Sequence, residues 1–359
     1  MERKVIWLTA SYFLDVDLPI VSKLAGELNI EWYILYDNVS HKKKYMYKGV
    51  EANSFNIKSK WYSPFILWEY LNFFKSLKYN LDDIIYIDVI GMPYLYPLLK
   101  FFVKHNNIII AAHNLKTPKG ARFEMLSKLY MKFLINNFSN IHVFSKNQLD
   151  YLESLLLSKN ILLAPLALKF YGEKISTANK RCKTFLSFGH IRDYKRLDLL
   201  IFAAQLAFEE TNFIFKVIIA GNCKNWSDYQ KLIKYDFLFD IKIGHISNNE
   251  VPAIISESDY LVLPYQDIAQ SGVLSLAFCY NVPVIVSDID GFTEFVKDGY
   301  NGFLFERDNI VSLKNTIINC LFLKEDSYSG ISENIRNYCK NNFDIDSICN
   351  KYLDYFNKF

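Results

Sequence analysis

The chain has 359 residues, 51% hydrophobic, 16% aromatic and 22% charged, with a formal net charge of +3. That length implies two domains with sizeable cores, and the composition excludes disorder as the dominant state. Residues 1–165 hold 20 Lys/Arg against 14 Asp/Glu, and the remainder 21 against 24. This bias suits an anionic surface or acceptor, but it is too weak for nucleic acid, and no nucleic-acid motif is present.

Met1–Lys4 and the apolar run after it resemble the start of a signal peptide. Asp15 and Asp17 cut the run short and no small-residue cleavage site follows, so Val5–Ala10 is read as a first buried strand. No apolar run reaches the ~18 residues of a spanning helix. Further short β-rich runs follow at Trp32–Tyr36, Ile84–Ile87, Ile108–Ala112, Ile141–Phe144 and Ile161–Ala164, most of them separated by helical patterns. His41–Lys44 reads as a charged loop. Strands alternating with helices imply an α/β fold with a parallel sheet covered on both faces.

Pro165–Thr177 reads as the connection to a second domain. Its strands are expected at Thr184–Phe188, Lys216–Ala220, Ile241–Ile243, Tyr260–Leu263, Val284–Val286 and Phe303–Phe305. Leu197, Leu200, Ile201, Ala204 and Phe208 recur at helical spacing, and Ser247–Glu250 has a capping-box pattern. Two helical patterns, Ser332–Asn342 and Asp344–Phe356, close the chain. The domain boundaries are thus 1–168, 169–340 and a terminal helix at 341–359. The six cysteines lie in the second half with no CxxC or zinc spacing, which suits free thiols in a reducing cytosol.

Two segments carry chemistry. In Gly189-His190-Ile191-Arg192-Asp193-Tyr194-Lys195-Arg196 the cations follow a strand and sit at a helix start, where N–H groups and the dipole favour phosphate. A solvated basic loop would have the same composition. In Gln270-Ser271-Gly272-Val273 small residues before a helical run (Val273–Tyr280) let a ligand approach the backbone, whose Gly272 and Val273 N–H groups would face phosphate or sugar hydroxyls. Gln270 could equally be a loop residue with a local hydrogen bond.

Together these segments resemble the donor-binding domain of retaining family-4 glycosyltransferases, which have the GT-B fold. The resemblance covers about Phe185–Phe305 well and the first half loosely. It implies two Rossmann-like domains with parallel sheets facing across a cleft, the first binding the acceptor and the second a nucleotide sugar. The last helix would pack back toward the first domain. The family pattern Gly-Arg-x-x-x-x-Lys-Gly is met at Gly189 and Lys195. His190 replaces its Arg, Arg196 replaces its last Gly, and Arg192 could supply the missing guanidinium.

The family hallmark Glu-x7-Glu is absent. Alignment on Pro283 places Ile268 and Leu276 at those positions, and alignment on Gly272 places Ala269 and Ala277. A subset of the family has a Gln-Ser-Gly-Val loop there, which Gln270–Val273 matches. Gln270 could contact sugar hydroxyls, and Asp267 is the nearest acid. Glu294 fits the family's Gly-x-x-Glu as a donor-side residue, or it serves simply as an acidic residue at a helix start. His113, ending a strand in Ala-Ala-His-Asn-Leu-Lys, matches a family His that contacts the donor sugar. Asn114 and Lys116 extend its loop.

The reaction implied is retaining sugar transfer from a nucleotide-diphosphate sugar to a glycan or lipid-linked glycan, in bacterial surface polysaccharide assembly, with no metal or other cofactor. The setting implied is cytoplasmic, at the inner face of the membrane. Lys195 and Arg192 would stabilise the leaving diphosphate. Two basic, aromatic stretches, Lys58–Lys78 and Lys119–Phe138, suit either peripheral membrane contact or core packing with snorkelling lysines. Loss of both Glu residues keeps open a non-catalytic scaffold of the same fold. A sugar-nucleotide epimerase lacks a convincing carboxylate set.

Overall fold

The computed structural model describes residues 3–37, 44–47, 50–59, 63–90, 94–103, 106–115, 124–175, 182–268 and 270–359. Of the segments singled out above, His41–Lys43, Lys60–Tyr62, Lys116, Lys119, Arg122 and the end of the connection (176–177) lie outside the described residues, as does Ala269. The chain divides into two compact units. One is built mainly from residues up to Ala167 together with Phe343–Phe359, and the other from Leu168–Asn342.

The first unit contains β1 (Lys4–Ala10), α1 (Leu14–Leu24), β2 (Asn29–Asp37), β3 (Lys44–Tyr47), β4 (Val50–Ile57) and α2 (Phe65–Ser76). Then come β5 (Ile84–Asp88), α3 (Leu95–Phe102), β6 (Ile108–Ala111), α4 (Glu124–Asn137), β7 (Asn140–Val143), α5 (Lys146–Ser154) and β8 (Asn160–Leu163). The strands form one sheet in the order β3-β4-β2-β1-β5-β6-β7-β8, parallel except for β3. Central strands such as β5 are buried along their whole length, so they read as unbroken apolar runs.

The apolar-run reading missed β3 and β4. In β4, Val50–Ile57 interleaves Glu51, Asn53, Ser54 and Asn56, because a strand near the sheet edge need not be apolar on both faces. Lys44, assigned to a charged loop, begins β3.

The second unit contains β9 (Thr184–Phe188), α6 (Leu197–Thr211), β10 (Lys216–Gly221), α7 (Trp226–Gln230), β11 (Phe239–Ile243), α8 (Val251–Ser256) and β12 (Tyr260–Leu263). It continues with α9 (Gly272–Cys279), β13 (Val284–Ser287), α10 (Asp290–Thr293), β14 (Gly302–Phe305), α11 (Ile310–Leu321) and α12 (Glu325–Asn342). Its sheet is fully parallel, in the order β11-β10-β9-β12-β13-β14. That is the doubly wound 3-2-1-4-5-6 order, whose crevice opens where the winding reverses, between β9 and β12.

Helix α13 (Ile345–Phe356) belongs to the first unit. Asp344 caps it by accepting a hydrogen bond from the Ser347 N–H at 2.9 Å. With α1 it covers one sheet face, burying Ile348, Tyr352 and Phe356 against Trp7 and Tyr86. Helices α2, α3 and α4 cover the other face through Tyr70, Phe73, Leu99 and Ile135. Among the described residues no helix is long and apolar enough to cross a membrane. The six cysteines are free, three of them buried.

Candidate active site

The second unit's site is assembled from the loops after β9 and β12, on either side of the winding reversal. Gly189 follows β9 with φ +94°, in the left-handed region. A Cβ there would lie 3.5 Å from both the Lys195 Nζ and the Val273 Cγ2. Gly189 therefore separates the lysine from α9 and lets both approach. Gly221, at the end of β10, has the same necessity, since a Cβ on it would sit 2.1 Å from the Gly189 carbonyl oxygen. The two loops are tied by the Gln266 N–H, which donates to the Tyr194 carbonyl at 2.8 Å.

Lys195 does not start a long helix. It ends a single 3-10 turn, Asp193–Lys195, and α6 begins at Leu197. Between them Arg196 takes the left-handed conformation at φ +49°, which accounts for the glycine of related sequences. The backbone cost for a side chain there is about 1 kcal/mol. It is offset by ion pairs from Arg196 to Asp198 (2.9 Å) and Asp308. Arg196 thus belongs to the scaffold, while Lys195 and Arg192 have no carboxylate within ion-pairing distance among the described residues. Lys195 lies over the buried Tyr265 ring, 5.2 Å from its centroid. Burial, with Arg192 nearby, lowers its pKa to about 8. Exposed His190 is also held below its usual value, first by desolvation and then by Arg192, Lys195 and Lys224. The local field is cationic.

At α9, Ser271 is a cap. Its Oγ accepts from the Leu274 N–H at 3.3 Å and its carbonyl from the Ser275 N–H at 3.2 Å. No described acceptor faces the Gly272 and Val273 N–H groups. A Cβ on Gly272 would touch the Lys169 side chain at 3.2 Å. Lys169 was not legible as a site residue, because it lies in the interdomain connection and only folding brings it to α9. Half-buried Gln270 precedes the cap.

Asp267 and Glu294, also assigned to the donor side, are placed by other contacts. Asp267 shares a cavity of about 380 Å³ with Asp288, Asp290, Glu306 and Arg307. Glu294 ends α10 rather than starting a helix, so its carboxylate does not complement a helix N-terminus. It helps to raise the Tyr338 phenol to about 12, after desolvation. Leu276 and Ala277, the positions of the second hallmark Glu in either alignment, are buried in the core, so neither supplies a polar group to a ligand.

In the first unit, His113 lies just past β6 and is nearly buried. Its ring stacks between Phe13 (3.9 Å, 5°) and Phe144 (4.3 Å, 28°). Its Nε2 meets the Asp88 Oδ1 at 2.6 Å, and Gln148 donates to its carbonyl at 2.8 Å. Asp88 is raised to about 8 by burial. Asp17, which accepts from the Trp7 indole and the Thr9 hydroxyl, is also raised, by burial and by Asp88. The sequence reading missed this pair of acids. The available signal was Asp88 at the carboxyl end of apolar β5, the same position that marks His113 after β6.

Residues 172–338 match the family described as glycosyl transferases group 1. The match spans nearly all of the second unit. A UDP-Gal:alpha-D-GlcNAc-diphosphoundecaprenol alpha-1,3-galactosyltransferase of Escherichia coli is 33% identical over 147 residues, 38% of this chain and 36% of that protein. The chain spans 40% or less of the length of this and another curated relative. Among solved structures, sucrose-phosphate synthase from Thermosynechococcus elongatus aligns with a TM-score of 0.79 at 13% identity, over 99% of this chain and 98% of that one. Alr3699/HepE of Anabaena, in complex with UDP-glucose, aligns with a TM-score of 0.75 at 13% identity, over 99% and 100%. These likenesses establish the fold as two parallel-sheet Rossmann-like domains of the GT-B type.

Proposed function

We propose that the protein is a retaining glycosyltransferase. It would move a sugar from a nucleotide-diphosphate sugar to a glycan or lipid-linked glycan acceptor in bacterial surface polysaccharide assembly. One observation carries this reading: at the winding reversal Lys195 lies beside glycine-lined α9 with Arg192 near it, and neither has a carboxylate within ion-pairing distance among the described residues. A diphosphate supplies the missing charge, and the α9 N–H groups supply donors without a side chain in the way.

During transfer negative charge grows on the leaving diphosphate, and fixed cations in a partly desolvated site stabilise it. In this reading the cations do the work of a metal, and none is required. A leaving phosphate that assists deprotonation of the acceptor hydroxyl accounts for retention without a protein nucleophile. Gln270 and His113 are assigned contacts to the donor sugar. The galactosyltransferase relative, named for an acceptor on diphosphoundecaprenol, favours a lipid-linked acceptor, and the setting we propose with it is cytoplasmic and membrane-peripheral.

A second reading has one observation in its favour. Buried Leu276 and Ala277 replace the second hallmark carboxylate, as in a scaffold that no longer catalyses transfer.

Thermal melts with UDP, GDP, ADP and their sugar conjugates separate the two. A ligand bound only to the native state raises the Tm. The expected result is a rise with one nucleotide family that is lost in Lys195→Ala without a drop in the ligand-free Tm. No rise with any nucleotide, from a folded protein, selects the scaffold.

A further inference from the structure

We propose that the outer face of α2, α3 and α4 is a docking surface for an anionic phospholipid bilayer. Each helix buries one side against the first unit's sheet, and the opposite side should then be polar. Instead it carries Phe65, Trp68, Phe101, Met125 and Leu129, each more than half exposed. Scattered apolar residues need no explanation, but five on the outward positions of three neighbouring helices do. The helices adjoin: Tyr96 packs on Tyr130 and Lys100 donates to the Asn137 carbonyl, linking α3 to α4. Phe102 shares a cavity with Leu71 and Phe74, linking α3 to α2.

The charge is one-sided. Lys75, Lys78, Lys100 and Lys132 lie among these apolar groups, with no carboxylate within ion-pairing distance among the described residues. The three helices contain only Glu69 and Glu124 as acids, and Glu69 is occupied by Ser59. The Lys75 ammonium stands 5.9 Å from the Trp68 ring, a pairing in which the aromatic enters the interface and the lysine reaches headgroup phosphates. The cavity between α2 and α3, about 710 Å³, is lined by apolar Leu71, Phe74 and Phe102 together with Lys75 and Lys78. Lys4, also on it, is already paired with Glu31. Tyr70, Phe73, Phe74 and Phe138, grouped with the membrane-facing aromatics by sequence, are buried in the core.

A second copy of the chain is a poor occupant, because two such faces would oppose lysine to lysine. The proposal deepens the reading of a lipid-linked acceptor and rests on it for its purpose, but its test needs neither donor nor acceptor. The full chain is sedimented with phosphatidylcholine vesicles and with vesicles containing about one-third phosphatidylglycerol. The expected result is about tenfold or greater preference for the anionic vesicles, declining with salt. Lys75→Glu with Lys78→Glu, and separately Trp68→Ser with Phe101→Ser, should each lower binding about tenfold while leaving the nucleotide-dependent Tm rise intact. No anionic preference, or variants that bind like wild type, overturns the proposal. So does a concentration-dependent dimer abolished by the Trp68→Ser and Phe101→Ser pair. Vesicle binding without any nucleotide effect would instead count against the transferase reading alone.

Discussion

Burial lowers Lys195 to about 8, so its charge changes within the range of an ordinary binding assay. Only the protonated ammonium attracts phosphate. Affinity for a nucleoside diphosphate should be full below about pH 8 and fall above it, by up to about tenfold per pH unit, with proton uptake on binding. Calorimetric titration across that range checks the sign, and Lys195→Arg should flatten the profile because a guanidinium stays charged. A slope unchanged in the Arg variant would assign the titration to another group. At this scale much of the candidate site was legible. Gly189, Lys195, Ser271 and Gly272 sit in short turns after apolar strands, where glycine and cations have few structural reasons to occur. Lys169 was not, since its approach to Gly272 depends on the path of the connection. Arg196 looked like a departure from a pattern, and only its φ of +49° and its acidic partners show how an arginine is accommodated.

Among the elements, α10 combines side-chain packing, through buried Phe292 on Tyr265, with a close backbone contact at its start. A Cβ on Gly291 would fall 1.9 Å from the Ile268 carbonyl oxygen, so the loop after β12 rests directly on the start of α10. Gly291→Ala must separate them. It is expected to cost about 2–4 kcal/mol in denaturant melts and to weaken nucleotide binding, through displacement of the loop that leads to α9. A variant as stable as wild type would show that the contact is readily relaxed. The buried strands were readable because parallel strands covered on both faces are apolar throughout. Strand β4 was not, because its polar residues are tolerated near an edge. Helix α12 begins at Glu325, before the Ser332 expected from sequence, because its first turns carry Asp326, Ser327 and Ser329 without an apolar stripe.

For the whole molecule, the units differ in how the chain completes them. Leu168–Asn342 is continuous and closes its own six-stranded sheet. Expressed alone, it should melt cooperatively and keep the nucleotide-dependent Tm rise. A polypeptide ending at Ala167 lacks α13 and would expose the surface covered by Ile348, Tyr352 and Phe356, at about 2 kcal/mol per buried side chain. It is expected to aggregate unless Phe343–Phe359 is supplied. A soluble, cooperatively melting 1–167 fragment would contradict that role for α13. The sequence by itself determined the α/β class, the parallel strands and the two loops rich in cations and glycine, because periodicity and turn chemistry are local. Tertiary structure alone decided that Lys169 joins Lys195 beside α9, that Asp17 and Asp88 form a buried pair under His113, and which aromatics face outward on α2 to α4. Those relations join residues far apart in the chain, and no local pattern encodes a distance between them.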